Sequence, residues 1–152
     1  MKEKACGAVI YKYEEDELKF LLIKQTNDVW GFSKGHVEGN EEEIETALRE
    51  IKEETNLDVE LNSEYRNSVE YIIDGTNILK QVVYFLATPK TTDIKKQESE
   101  ILEIKWLNYE ECLNTITYDN IKEVLKDAKS FIEKIWQIKK IMYNLCQWEG
   151  IR

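Results

Sequence analysis

Between Gly35 and Leu57 the chain reads GHVEGNEEEIETALREIKEETNL, a run that fits one acidic helix entered through a glycine loop. At about 100° per residue, Glu50, Glu53 and Glu54 stand at i, i+3 and i+4, so their carboxylates converge on one face. Like charges held that close repel. Among lysines only Lys52 interrupts the cluster, and it is placed away from the three glutamates. A bound cation is therefore the expected counter-charge, and hard carboxylate oxygens suit Mg²⁺ or Mn²⁺. A solvated acidic helix is the plain alternative. Against it, Ile44, Ala47, Leu48 and Ile51 form an apolar stripe that is expected to dock the opposite face on a core and hold the acidic side in place.

Glycine, then Glu41 after five residues, Arg49-Glu50 after seven more, then Glu53-Glu54, a small residue and an aliphatic one: this pattern resembles the Nudix box of the Nudix hydrolases. Asn56 stands where that family usually has glycine at the helix exit. Asparagine tolerates the left-handed conformation of a C-cap better than other non-glycine residues, so the loop is expected to keep its shape.

The surrounding chain is long enough, at 152 residues and 42% apolar, to bury a core without staples. Its formal charge of −9 leaves no basic stripe for duplex nucleic acid. A polyphosphate stays compatible, because metal ions reverse the local sign. Cys6, Cys112 and Cys146 have no metal-ligand spacing and read as small buried or half-buried apolar residues in a reducing cytoplasm. The short apolar run from Ala5 to Tyr11 is neither a signal peptide nor a membrane span.

Residues 4–13 and 18–25 read as a hairpin turning through Glu14-Glu15-Asp16-Glu17. Residues 58–73 and 78–88 form a second pair of strands around the turn Asp74-Gly75-Thr76-Asn77, and 101–107 a further strand. From Asn120 onward apolar residues recur at helical spacing. Strands, one helix, strands and a last helix describe an α+β chain with a mixed sheet between helices. The family resemblance implies the same α/β/α sandwich as a single domain over 1–152, with 134–152 as a helical extension.

Carboxylates that bind divalent ions can neutralise phosphate oxygens and activate water, and no Ser-His or Cys-His pair competes for the role of nucleophile. The resemblance implies hydrolysis of a nucleoside diphosphate linked to another group. It assigns Glu50, Glu53 and Glu54 as metal ligands with the Gly35 carbonyl, Arg49 as the residue that orients them, and Glu41 as the tie between loop and helix. Within the family, KGHVE (Lys34 to Glu38), KQVVYFLA (Lys80 to Ala87) and the surroundings of Phe131 resemble the asymmetrical diadenosine tetraphosphate hydrolases.

That subgroup implies polyphosphate contacts from Lys34, His36 and Lys80, an adenine clamp of Tyr84 and Phe131, and a loop glutamate, ligand or base, at Glu100 with Glu98 as competitor. Each residue also has a structural reading. His36 can bond loop backbone, Lys80 can be a solvated strand residue, and Tyr84 and Phe131 can be core. Ser33 and Asn40 replace a proline and a glycine common in this subgroup and are expected to loosen the loop. Three functions follow: diadenosine tetraphosphate hydrolysis to ATP and AMP; another Nudix pyrophosphatase, acting on nucleoside triphosphates or RNA 5′ ends; or a silent nucleotide sensor.

The tail beyond Lys129 carries Phe131, Ile132, Ile135, Trp136, Ile138, Ile141, Met142, Leu145, Cys146 and Trp148, too many for a solvated helix end. The helix is expected to continue past Glu133 and to pack along its own sheet or against a second subunit in a two-fold homodimer.

Overall fold

A computed structural model describes residues 2–150; Met1, Ile151 and Arg152, at the ends of the expected domain and of its extension, lie outside the described residues. The elements run β1 (Lys2–Glu14), β2 (Glu17–Gln25), β3 (Trp30–Gly31), β4 (Ser33–His36), α1 (Glu43–Thr55), β5 (Val59–Ile72), β6 (Leu79–Pro89), β7 (Ile101–Asn108), α2 (Tyr109–Thr115) and α3 (Asp119–Gly150). This is the α+β sandwich with a mixed sheet that the element order implies.

The β1–β2 turn rests on Glu15 and Asp16, both left-handed at φ 50° and 65°, a conformation that matches the twist of a two-residue hairpin. The N-terminal part of β1 runs parallel to β6, with β4 antiparallel on its other side at Ala5–Ala8; from Tyr11 onward β1 pairs with β2. β5 is antiparallel to β6, and β3 and β7 pair with β2.

Strand periodicity divides the core. Val82, Tyr84 and Leu86 of β6 face one side, with Val124, Leu125, Ala128 and Ile132 of α3. Val83, Phe85 and Ala87 face the other, with Ala47 and Ile51 of α1. Buried on both faces, β6 reads as an unbroken apolar run.

Three expectations are corrected. First, Ile44 and Leu48 are exposed, at 38% and 39%. The docked face of α1 consists of Thr46, Ala47, Glu50, Ile51, Glu54 and Thr55, so two of the glutamates lie on the buried side and not opposite it. Second, α2 is an additional helix. Asn108 accepts from the Glu111 N–H while the Glu111 carboxylate accepts from the Asn108 N–H, a capping box whose Asn-x-x-Glu signature was readable. Third, α3 is one continuous helix, but it does not lie along the sheet beyond Ile135. Trp136 leans on Tyr13 with ring centroids 4.9 Å apart, and Ile138, Ile141, Met142, Leu145 and Trp148 after it are exposed. Cys146 is exposed as well, whereas Cys6 and Cys112 are buried. Among the described residues no helix is long and apolar enough to cross a membrane.

Candidate active site

β4 brings the loop to the motif helix. Gly7 of β1 lies opposite Lys34, and a Cβ there would collide with the backbone of Ser33 and Lys34. That close approach aims β4 at α1. The Ser33 hydroxyl donates to Glu54 Oε1 at 2.6 Å and the Lys34 N–H donates to the same oxygen at 3.0 Å. Ser33 is buried, so the residue expected to loosen the loop instead pins it to the helix. Gly35 follows. A Cβ on it would fall within the carboxylate of Glu50, and only glycine lets the backbone pass there. The helix ends as its composition implies, with Asn56 left-handed at φ 69°.

Arg49 spends its whole guanidinium on this assembly. Nε and Nη2 donate to the two Glu41 oxygens at 2.7 and 3.0 Å, Nη2 also to the His36 carbonyl at 2.9 Å, and Nη1 to Glu50 at 2.9 Å and Glu53 at 3.2 Å. Glu41 also accepts from the Glu38 N–H and the Thr46 hydroxyl. The Arg49 bond, followed by the Glu38 N–H, holds the Glu41 carboxyl down to about 2. Lys52 turns away to the Asn56 carbonyl and Asp58. The counter-charge of Glu50 and Glu53 in this structure is thus Arg49, which a count of lysines does not include.

Burial raises the Glu54 carboxyl to about 7, against the pull of Ser33 and with the push of Glu50. Burial also raises Glu50, with Arg49 opposing and Glu53 and Glu100 adding repulsion. Glu100 is the loop glutamate whose charge reaches the helix. Glu98 stands exposed, 3.8 Å from Lys96. In the same loop the Gln97 N–H donates to the Glu54 carbonyl, and Gln97 Oε1 is buried without a partner.

Lys34 is half-buried, and burial first, then Lys80, lowers its pKa, while Glu54 and Glu50 oppose. Lys80 lies in register between Glu3 of β1 and Tyr71 of β5. His36 is exposed, its Nε2 at 3.3 Å from Glu3 Oε2. Lys34 and Lys80 are thus near enough to repel each other, and His36 and Lys80 both lie beside Glu3.

The adenine clamp is not formed. Tyr84 is only 1% exposed and packs edge-on against Phe32 at 5.8 Å, so neither ring face is open. Phe131 meets Tyr65 edge-on at 5.2 Å, and the Tyr65 hydroxyl donates to Asp127. The strand alternation that puts Val82 and Leu86 in the core puts Tyr84 there too. The open aromatics near the lysines are Tyr71 and Tyr118, 37% and 55% exposed, close enough that Tyr118 and Glu3 add to the burial that raises the Tyr71 hydroxyl. Tyr71 faces Lys80 across the β5–β6 hairpin, a register that was legible once the Asp74–Asn77 turn was placed.

Among the described residues no three histidine, cysteine or acidic side chains are gathered around a point where they would grip an ion. The donor set nevertheless fits a hard divalent cation. It consists of carboxylate oxygens, two of them made reluctant to ionise by burial and mutual repulsion, beside a backbone kept within reach by Gly35.

Comparison with known proteins agrees with this geometry. The family profile described as NUDIX domain matches residues 1–128. The asymmetrical bis(5'-nucleosyl)-tetraphosphatase of Sus scrofa is 30% identical over 144 residues, covering 87% of this chain and 97% of that protein. The Caenorhabditis elegans protein of the same name is 29% identical over 137 residues, covering 87% and 98%. The crystal structure of a C. elegans Ap4A hydrolase binary complex is similar with a TM-score of 0.80 at 28% identity, covering 87% of this chain and 98% of that one. With the glycine loop, the glutamate helix and the sheet around them all matched, the chain belongs to the NUDIX family.

Proposed function

We infer that this NUDIX pyrophosphohydrolase cleaves diadenosine tetraphosphate to ATP and AMP by attack of water on phosphorus. The observation that carries this reading is the division of charge at the site. Glu50 and Glu54 are held beside Gly35 and Ser33, and Lys34 is near enough to both glutamates and to Lys80 for their charges to act on it, which supports a path for a long polyphosphate along these two lysines. Glu50, Glu53, Glu54, Glu100 and the Gly35 carbonyl would hold Mg²⁺ or Mn²⁺, which supplies charge neutralisation and a more acidic water.

Lys34 and Lys80 attract the anionic chain. Arg49 and Glu41 keep the carboxylates and the loop in one geometry. A site glutamate takes the proton of the attacking water as the new P–O bond forms and the anhydride bond breaks. Tyr71 and Tyr118 take the base-stacking role, worth about 1–3 kcal/mol per base. The acidic surface disfavours duplex nucleic acid. The free thiols Cys6 and Cys112, pushed up to about 11 and about 12 chiefly by burial, are in keeping with a reducing cytoplasm.

The deciding experiment is a screen of dinucleoside polyphosphates, nucleoside triphosphates and capped RNA with Mg²⁺, with products identified. ATP and AMP in equal amounts from diadenosine tetraphosphate, at the highest kcat/KM of the set, is the expected outcome. Preference for triphosphates or capped RNA would replace the substrate assignment.

A further inference from the structure

The C-terminal half of α3 lies outside the family profile. The NUDIX profile ends at residue 128, and the relatives are covered almost end to end while 87% of this chain is used. Ile135, Ile138, Met142 and Leu145 follow at steps of three, four and three, the spacing of a coiled-coil seam. The same spacing runs back through Phe131, Ala128 and Val124, where the seam is already packed on the sheet. Beyond Trp136, whose ring still leans on Tyr13, it leaves its own domain. Trp136, Ile138, Ile141, Met142, Tyr143 and Leu145 are between 49% and 63% exposed.

Three observations choose the occupant. The first is area. Six large apolar side chains about half exposed or more present on the order of 100 Å² each, so their sum, roughly 600 Å², reaches the top of the range for monomer patches and supplies most of the ~800 Å² per partner of a standard interface.

The second is direction. At about 100° per residue, Ile141 and Leu145 lie roughly opposite Trp136 and Tyr143, and a helix apolar on two opposed sides fits between protein surfaces, not flat on a lipid surface.

The third is charge. Residues 134–148 hold three lysines, Lys134, Lys139 and Lys140, and no acidic residue, while the chain stands at −9, which leaves the remainder at −12. A cationic tail complements the acidic body of another copy, and that body would be repelled by anionic lipid.

We propose that the projecting part of α3 is an isologous interface at which a second copy of this chain is bound, each tail seated between the partner's tail and the partner's acidic body. Sedimentation equilibrium of the full chain tests this. The expected mass is twice 18.0 kDa, falling to 18.0 kDa in the double variant I138D/M142D, with association weakened at least ~100-fold. Its substituted positions are exposed, so the melting of the core is expected to persist, and N144A, which removes neither a charge nor an apolar side chain, is expected to remain dimeric. Because Cys146 is exposed while Cys6 and Cys112 are buried, a spin label on Cys146 adds a second readout. A dipolar coupling between labels should appear in the parent chain and vanish in I138D/M142D. A parent chain that sediments at 18.0 kDa overturns the proposal, and flotation of that monomer with phosphatidylserine vesicles would assign the helix to a lipid surface instead.

Discussion

Gly35 and Glu50 share one volume: the carboxylate of Glu50 fills the space that a Cβ on residue 35 would need. The loop backbone and the first of the clustered glutamates are therefore interlocked, and neither can change without moving the other. Gly35→Ala should displace the carboxylate, costing about 1–3 kcal/mol of stability as an overpacked site does and lowering kcat far more than the melting temperature would suggest. Unaltered kcat and melting in the alanine variant would show that the fit is not needed.

Removing single charges from α1 should separate chemistry from folding. Glu53→Gln and Glu54→Gln are each expected to lower turnover by orders of magnitude with the circular dichroism spectrum kept, since a neutral amide does not replace a ligating carboxylate. Near-normal Mg²⁺-dependent activity in both would remove these residues from the site.

Two glutamates should give opposite pH signatures in the metal-free protein. Glu54 is raised to about 7, chiefly by burial, so the folded state holds its proton more tightly than the unfolded state. Its contribution is fully present below the ordinary carboxylate range near 4.5 and is lost as pH rises through about 7. Glu43 is lowered to about 2, first by Arg66, which donates to both its oxygens, and then by Lys4. Its contribution is present above 4.5 and is lost as pH falls through about 2. Melting curves of Glu54→Gln and Glu43→Gln against pH should flatten in those two separate windows, the neutral one and the acidic one respectively.

The aromatic residues should divide by role. Tyr71→Ala is expected to raise KM for diadenosine tetraphosphate by roughly ten-fold or more through lost stacking, with stability little changed. Tyr84→Ala should instead destabilise the fold by about 3–5 kcal/mol, as other large-to-small core substitutions do. A KM effect confined to Tyr84, with normal stability, would reverse the assignment.

Arg49→Lys tests the scaffold. A lysine cannot span Glu41, Glu50, Glu53 and the His36 carbonyl together, so kcat should fall about 10–100-fold while the charge is conserved. Activity equal to the parent would mean that charge alone suffices at this position.

What the sequence determined was local. The spacing of Glu50, Glu53 and Glu54, the left-handed exit at Asn56, the hairpin through Glu15 and Asp16 and the unbroken apolar run of β6 all follow from residues within a few positions of one another. What only the tertiary structure decided was which neighbour each side chain meets. Ile44 and Leu48 are apolar yet exposed, and Glu50 and Glu54 are acidic yet buried, because β4, brought close by Gly7, offers Ser33, the Lys34 N–H and the open space at Gly35 to that side of α1. Tyr84 and Phe131 are placed by Phe32 and Tyr65, residues far from them along the chain. A single strand or helix records its own period but not the identity of the surface packed against it, and burial, charge pairing and ring contacts are properties of that second surface.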